Sequence, residues 1–207
     1  LPGAIYDHDL HAGADAGVQP HHRACAGRRG EQQVFQVVAE DGDGFGFGGA
    51  LVESDRFSHL SHDINLLVSL GIPVVLVHGA RPQVESLLAL RGQTRQHHRG
   101  RRITDATAMD AVKYGIGYTR AEIEAQLSVA LPDSPMAGAN LRVAGGNYLV
   151  ACPMGVLDGV DLQYSGAVRR VDTQAITQRL AAGELVLLSP IGYSPTGESF
   201  RLSMEEV

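Results

Sequence analysis

What the sequence is short of narrows the field first. Lys113 is the only lysine among 17 basic residues, and two cysteines, Cys25 and Cys152, are all that 207 residues contain. The cysteines lie far apart with no CxxC spacing, so they read as plain thiols rather than as a disulfide framework or a zinc cluster. His59, His62, His97 and His98 invite a metal reading, but no carboxylate or cysteine completes a recognised ligand spacing, and no metal is expected. A formal net charge of −6 argues against nonspecific nucleic-acid binding, which draws its affinity from basic side chains on phosphates. No run approaches the ~18 consecutive apolar residues of a membrane-spanning helix. The opening residues, with Asp7, His8, Asp9 and His11, lack the basic-then-apolar ramp of a signal peptide. A soluble, cytoplasmic protein without membrane or nucleic-acid partners is the expectation.

What is present suits one sizeable α/β core, with 44% hydrophobic residues. Residues 1–44 cluster Gly, His, Asp and Arg and show no sustained period apart from the short run Val34-Phe35-Gln36-Val37-Val38, so this segment is read as irregular or disordered. From residue 45 to 207 the signals become regular. Ser54 is a candidate N-cap for a helix carrying Phe57, Leu60, Ile64, Leu67 and Leu70 to a C′ glycine at Gly71. Ile72 to Val77 reads as a strand buried on both faces, ending at His78-Gly79-Ala80. Pro82 then opens a helix that closes near Gly92. Thr104-Asp105 is positioned to cap a long helix reaching about Leu131, before Pro132 and Pro135.

Strands follow at Leu141-Val143, Tyr148–Cys152 and Ala167–Val171, then a helix from Asp172 to Gly183, then the apolar strand Leu185–Leu188. The alternation predicts a mostly parallel, doubly wound sheet. Ser203-Met204-Glu205-Glu206 reads as a capping box opening a further helix, so the natural protein is expected to continue.

In such sheets ligands gather beyond the carboxyl ends of the strands, where loops become helix N-termini. Gly48-Gly49 and His78-Gly79-Ala80-Arg81 are turns of that kind, and Arg81 or Arg102 is suited to grip a carboxylate. Glycines at strand ends are also ordinary turn residues, and a histidine ending a buried strand is more often hydrogen-bonded structure than a catalyst. Arg169-Arg170 reads as a solvated strand face, and Thr196-Gly197-Glu198-Ser199 as a hairpin tip that could face the same crevice.

Several segments together carry a resemblance. They are Leu70-Gly71-Ile72 through Val77-His78-Gly79-Ala80-Arg81-Pro82-Gln83-Val84, Arg102-Ile103-Thr104-Asp105, Gly155-Val156-Leu157-Asp158-Gly159-Val160-Asp161, Ser165-Gly166 with Arg169-Arg170-Val171-Asp172, and Thr196-Gly197-Glu198-Ser199-Phe200. In order and spacing they resemble the amino-acid-kinase-like domain of bacterial N-acetylglutamate synthases, over about residues 45–207. The resemblance implies an amino-acid-kinase-like α/β sandwich with a mostly parallel central sheet, incomplete at the C-terminus, in an amino-acid N-acetyltransferase. It implies that a separate acetyltransferase domain uses acetyl-CoA and glutamate, that this domain holds no cofactor and no catalytic residue, and that it senses arginine as an inhibitor and builds a homo-oligomer. The binding residues it points to are Gly48, Gly49, His78, Gly79, Ala80, Arg81 and Arg102.

Two other readings are N-acetylglutamate kinase and a stand-alone noncatalytic amino-acid-binding module. Phosphoryl transfer needs cations around the transferred oxygens, and kinases of this fold place a lysine on the first strand; here Gly46 stands there, and Ala80 replaces a second glycine after the histidine. Asp43-Gly44-Phe45-Gly46-Phe47 reads as a poor strand. Sheet faces such as Val74-Val75-Leu76 and Leu185-Val186-Leu187 are therefore expected to be partly exposed, and the isolated chain marginally stable or prone to associate.

Overall fold

The computed structural model describes residues 36–39, 43–93, 96–129 and 141–207. The chain opens with strands β1 (Gln36–Ala39) and β2 (Asp43–Phe47), the short helix α1 (Gly49–Val52), helix α2 (Arg56–Ser69), strand β3 (Val74–His78) and helix α3 (Arg81–Leu90). The hairpin β4 (His97–His98) and β5 (Arg101–Arg102) and the long helix α4 (Ala106–Leu127) come next. After them lie β6 (Val143–Gly145), β7 (Leu149–Pro153), the hairpin β8 (Val156–Leu157) and β9 (Val160–Asp161), and β10 (Gly166–Val171). Helix α5 (Thr173–Ala181), β11 (Leu185–Leu188), β12 (Ile191–Tyr193), β13 (Ser199–Arg201) and a 3₁₀ turn at Met204–Glu206 complete the described chain.

The central sheet runs β1-β2-β3-β11-β6, and every neighbouring pair is parallel except β1 with β2. Helices cover both of its faces. Phe57 and Ile64 of α2 and Ile123 and Leu127 of α4 bury against Leu76, Leu185 and Leu187, while Ala175, Ile176 and Leu180 of α5 pack on Val186 and Leu188. The mostly parallel α/β sandwich is thus present. The expected exposure of the sheet faces is not: Val74, Leu76, Leu185, Val186 and Leu187 are all buried, and Val75 is half-buried beneath α5.

Several local expectations need correction. Residues 43–47 are a full parallel strand despite Gly44 and Gly46, because pairing along β3 from Asp43↔Val74 to Phe47↔His78, and the burial of Phe47 against Phe57, outweigh a poor intrinsic preference. Residues 36–39 are also strand, so the irregular reading of residues 1–44 fails at 36–39 and 43–44, while residues 1–35 and 40–42 fall outside the described residues. Ser54 does not cap α2; its hydroxyl donates to the Leu51 carbonyl at 2.7 Å and closes α1, while Asp55 occupies the N-cap of α2 without a side-chain bond. Helix α4 stops at Leu127 with Ser128 as its C-cap; Leu131, Pro132 and Pro135 lie outside the described residues. No capping box forms at Ser203, because Glu206 turns away to meet Arg101 at 2.6 Å.

The largest departure is a second sheet. Strands β7 and β10 do not extend the central sheet; they pair antiparallel with each other and form the sheet β10-β7-β12-β13. Leu149, Ala151, Phe200 and Leu202 make its small core. Other readings hold in detail. Asp105 Oδ1 accepts from Ala108 N at 2.7 Å to cap α4, Asp172 Oδ1 accepts from Ala175 N at 3.0 Å to cap α5, and Gly71, Gly92 and Gly183 take positive φ where their helices end.

Candidate functional site

Strands β2 and β3 are adjacent and parallel, so the turns that follow them emerge side by side at the carboxyl edge of the sheet. The two turns are in close contact. Gly79 N–H donates to the Phe47 carbonyl at 2.7 Å, and a Cβ added at Gly49 would lie 2.8 Å from the Gly79 carbonyl oxygen and collide with Gln83 Oε1. No larger residue fits at Gly49 without parting the turns. Gln83, buried on the first turn of α3, reinforces the junction: its Nε2 donates to the Gly49 carbonyl and to Glu53 Oε1, both at 2.9 Å.

Above the junction lies a cavity of about 300 Å³. Gly48, Gly49, Gly79, Ala80, Arg81 and Arg102 all line it, so six of the seven residues singled out in the sequence meet at one place. The N-terminus of α3 opens there, with Pro82 in its first turn and helix N–H groups that have no acceptor within the helix. Arg102 reaches the cavity from β5 and is buried; its carbonyl accepts from Ser165 Oγ, which lies 2.9 Å from Thr104 Oγ1 and accepts that hydroxyl's proton in turn. Arg81 is largely exposed and pairs with Glu85 at 2.8 Å. Apolar side chains complete the lining: Val84 from α3, Val112 and Ile116 from α4, Leu202 and Met204 from the chain after β13. A smaller cavity of about 250 Å³ shares Arg102 and is lined mainly by polar groups, among them Gln93, Gln96, Asp105 and Gln163.

His78 is the seventh candidate and does not line the cavity. It is fully buried at the end of β3, with Nε2 2.8 Å from Ser189 Oγ and Nδ1 3.3 Å from the Gly79 carbonyl. A carbonyl only accepts, so the neutral ring keeps its proton on Nδ1 and takes the Ser189 hydroxyl hydrogen at Nε2. Burial drives its pKa down to about 4, with nearby Arg120 adding to the shift and the Gly79 bond opposing it. It is a neutral strut beneath the turn. Arg201 is the residue that sequence reasoning missed: it lines the cavity from the end of β13, although the hairpin tip Thr196-Gly197-Glu198 preceding it is exposed and lies away from the cavity. The sole lysine, Lys113, is exposed on α4 and is no part of the lining.

A parallel sheet sandwiched by helices, with two glycine turns meeting at its carboxyl edge, defines the class. The chain belongs to the Amino acid kinase family, which it matches over residues 46–207. It is 52% identical over 171 residues to an amino-acid acetyltransferase of Pseudomonas putida strain GB-1, covering 83% of this chain and 38% of that protein. Among solved structures it resembles N-acetylglutamate synthase from Neisseria gonorrhoeae complexed with coenzyme A and L-arginine, with a TM-score of 0.71 and 37% identity over 77% of this chain and 37% of that one. The same synthase complexed with coenzyme A and N-acetylglutamate gives a TM-score of 0.68 at 38% identity, covering 77% of this chain and 35% of that one. The chain therefore spans well under half the length of the relatives it matches. Among the described residues no helix is long and apolar enough to cross a membrane.

Proposed function

We propose that this chain is the noncatalytic, amino-acid-kinase-like portion of an N-acetylglutamate synthase, which transfers the acetyl group of acetyl-CoA to L-glutamate at the first step of arginine biosynthesis. In this reading the acetyl transfer belongs to a separate acetyltransferase domain, and residues 45–207 are part of a regulatory and oligomerising domain through which arginine inhibits. The cavity keeps a carboxylate-binding geometry inherited from a kinase-like fold and has lost phosphoryl chemistry.

The observation that carries the reading is the cavity's charge chemistry. Its cationic side chains are arginines, from Arg81, Arg102 and Arg201, and the protein's one lysine lies outside it. Phosphoryl transfer requires compact cations that follow charge onto the transferred oxygens, with a backbone free to approach them. Gly46 offers no side chain on β2 for that purpose, and Ala80 sets a methyl group at the turn where a phosphate would need to approach. Guanidinium groups and helix N–H groups suit a static carboxylate instead. The identity with amino-acid acetyltransferases of greater length supports the wider assignment.

The test is enzymatic. The full reading frame that contains this chain, expressed and supplied with acetyl-CoA and L-glutamate, should form N-acetylglutamate, and arginine should slow it. Absence of acetyl transfer from a folded product of the whole frame would refute the assignment.

A further inference from the structure

We draw no further inference here: the strongest candidate, the exposed face of α4 formed by Tyr114, Gly117, Tyr118 and Ala121, is an unpartnered apolar face and nothing in the structure shows what covers it.

Discussion

Gly79 donates its backbone N–H to the carbonyl of Phe47 at 2.7 Å, and this one bond ties the end of β3 to the end of β2 at the floor of the cavity. Everything that makes the site depends on that closeness: the glycine turns touch, Gln83 fastens them, and α3 starts directly above.

Glycine substitutions should separate contact from conformation. Gly49→Ala forces a methyl group onto the Gly79 carbonyl and should lower stability by about 1–3 kcal/mol in urea unfolding. Gly115→Ala should also destabilise, because its methyl would lie 2.7 Å from Val84 Cγ2 where α3 and α4 pack. Gly117→Ala, two residues along the same helix with open space around it, should instead gain about 0.5–1 kcal/mol from helix propensity.

Acid should weaken the fold through His78. Its folded pKa of about 4 lies below the ordinary 6.5, so between those pH values the unfolded chain binds the proton and the folded chain does not. Stability from this group is complete above pH 6.5, falls as the pH drops towards 4, and amounts to about 3 kcal/mol across that window. The difference in stability between the parent and His78→Gln, measured by urea unfolding at pH 7 and at pH 4.5, should shrink at the lower pH. An unchanged difference would show that His78 is not the titrating group.

The two aspartate caps give a third check. Asp105→Ala and Asp172→Ala each remove an acceptor from a helix N-terminus and should cost about 1 kcal/mol, while Asp105→Asn and Asp172→Asn should largely restore stability. Thermal melts of the four variants read this directly.

These outcomes bear on how far the sequence spoke for itself. The helices were legible because caps and glycines mark their ends, as Asp105, Asp172, Gly71 and Gly183 do, and β3 and β11 because a strand covered on both faces is apolar throughout. Strand β2 was hidden: Gly44 and Gly46 argue against a strand, and the pairing with β1 and β3 and the packing of Phe47 on Phe57 come only from the fold. The second sheet was hidden for a different reason. Leu149 to Cys152 alternates between buried and half-buried residues in the fold, yet its letters are as apolar as those of β11, and its partner β10 comes only after the β8–β9 hairpin. Within the site, the glycine turns and Arg102 were readable from position after a strand or before a capped helix. Arg201 was not, since its place in the lining depends on β13 pairing with β12 in the second sheet.

The most direct test of the central claim, that this kinase-like fold has no phosphoryl-transfer chemistry, is a phosphorylation assay on the purified 207-residue chain with ATP, magnesium and N-acetyl-L-glutamate. The account predicts acyl-phosphate formation no faster than in the same mixture without protein, because no lysine reaches the cavity. Turnover above that background, lost on Arg102→Ala, would contradict it.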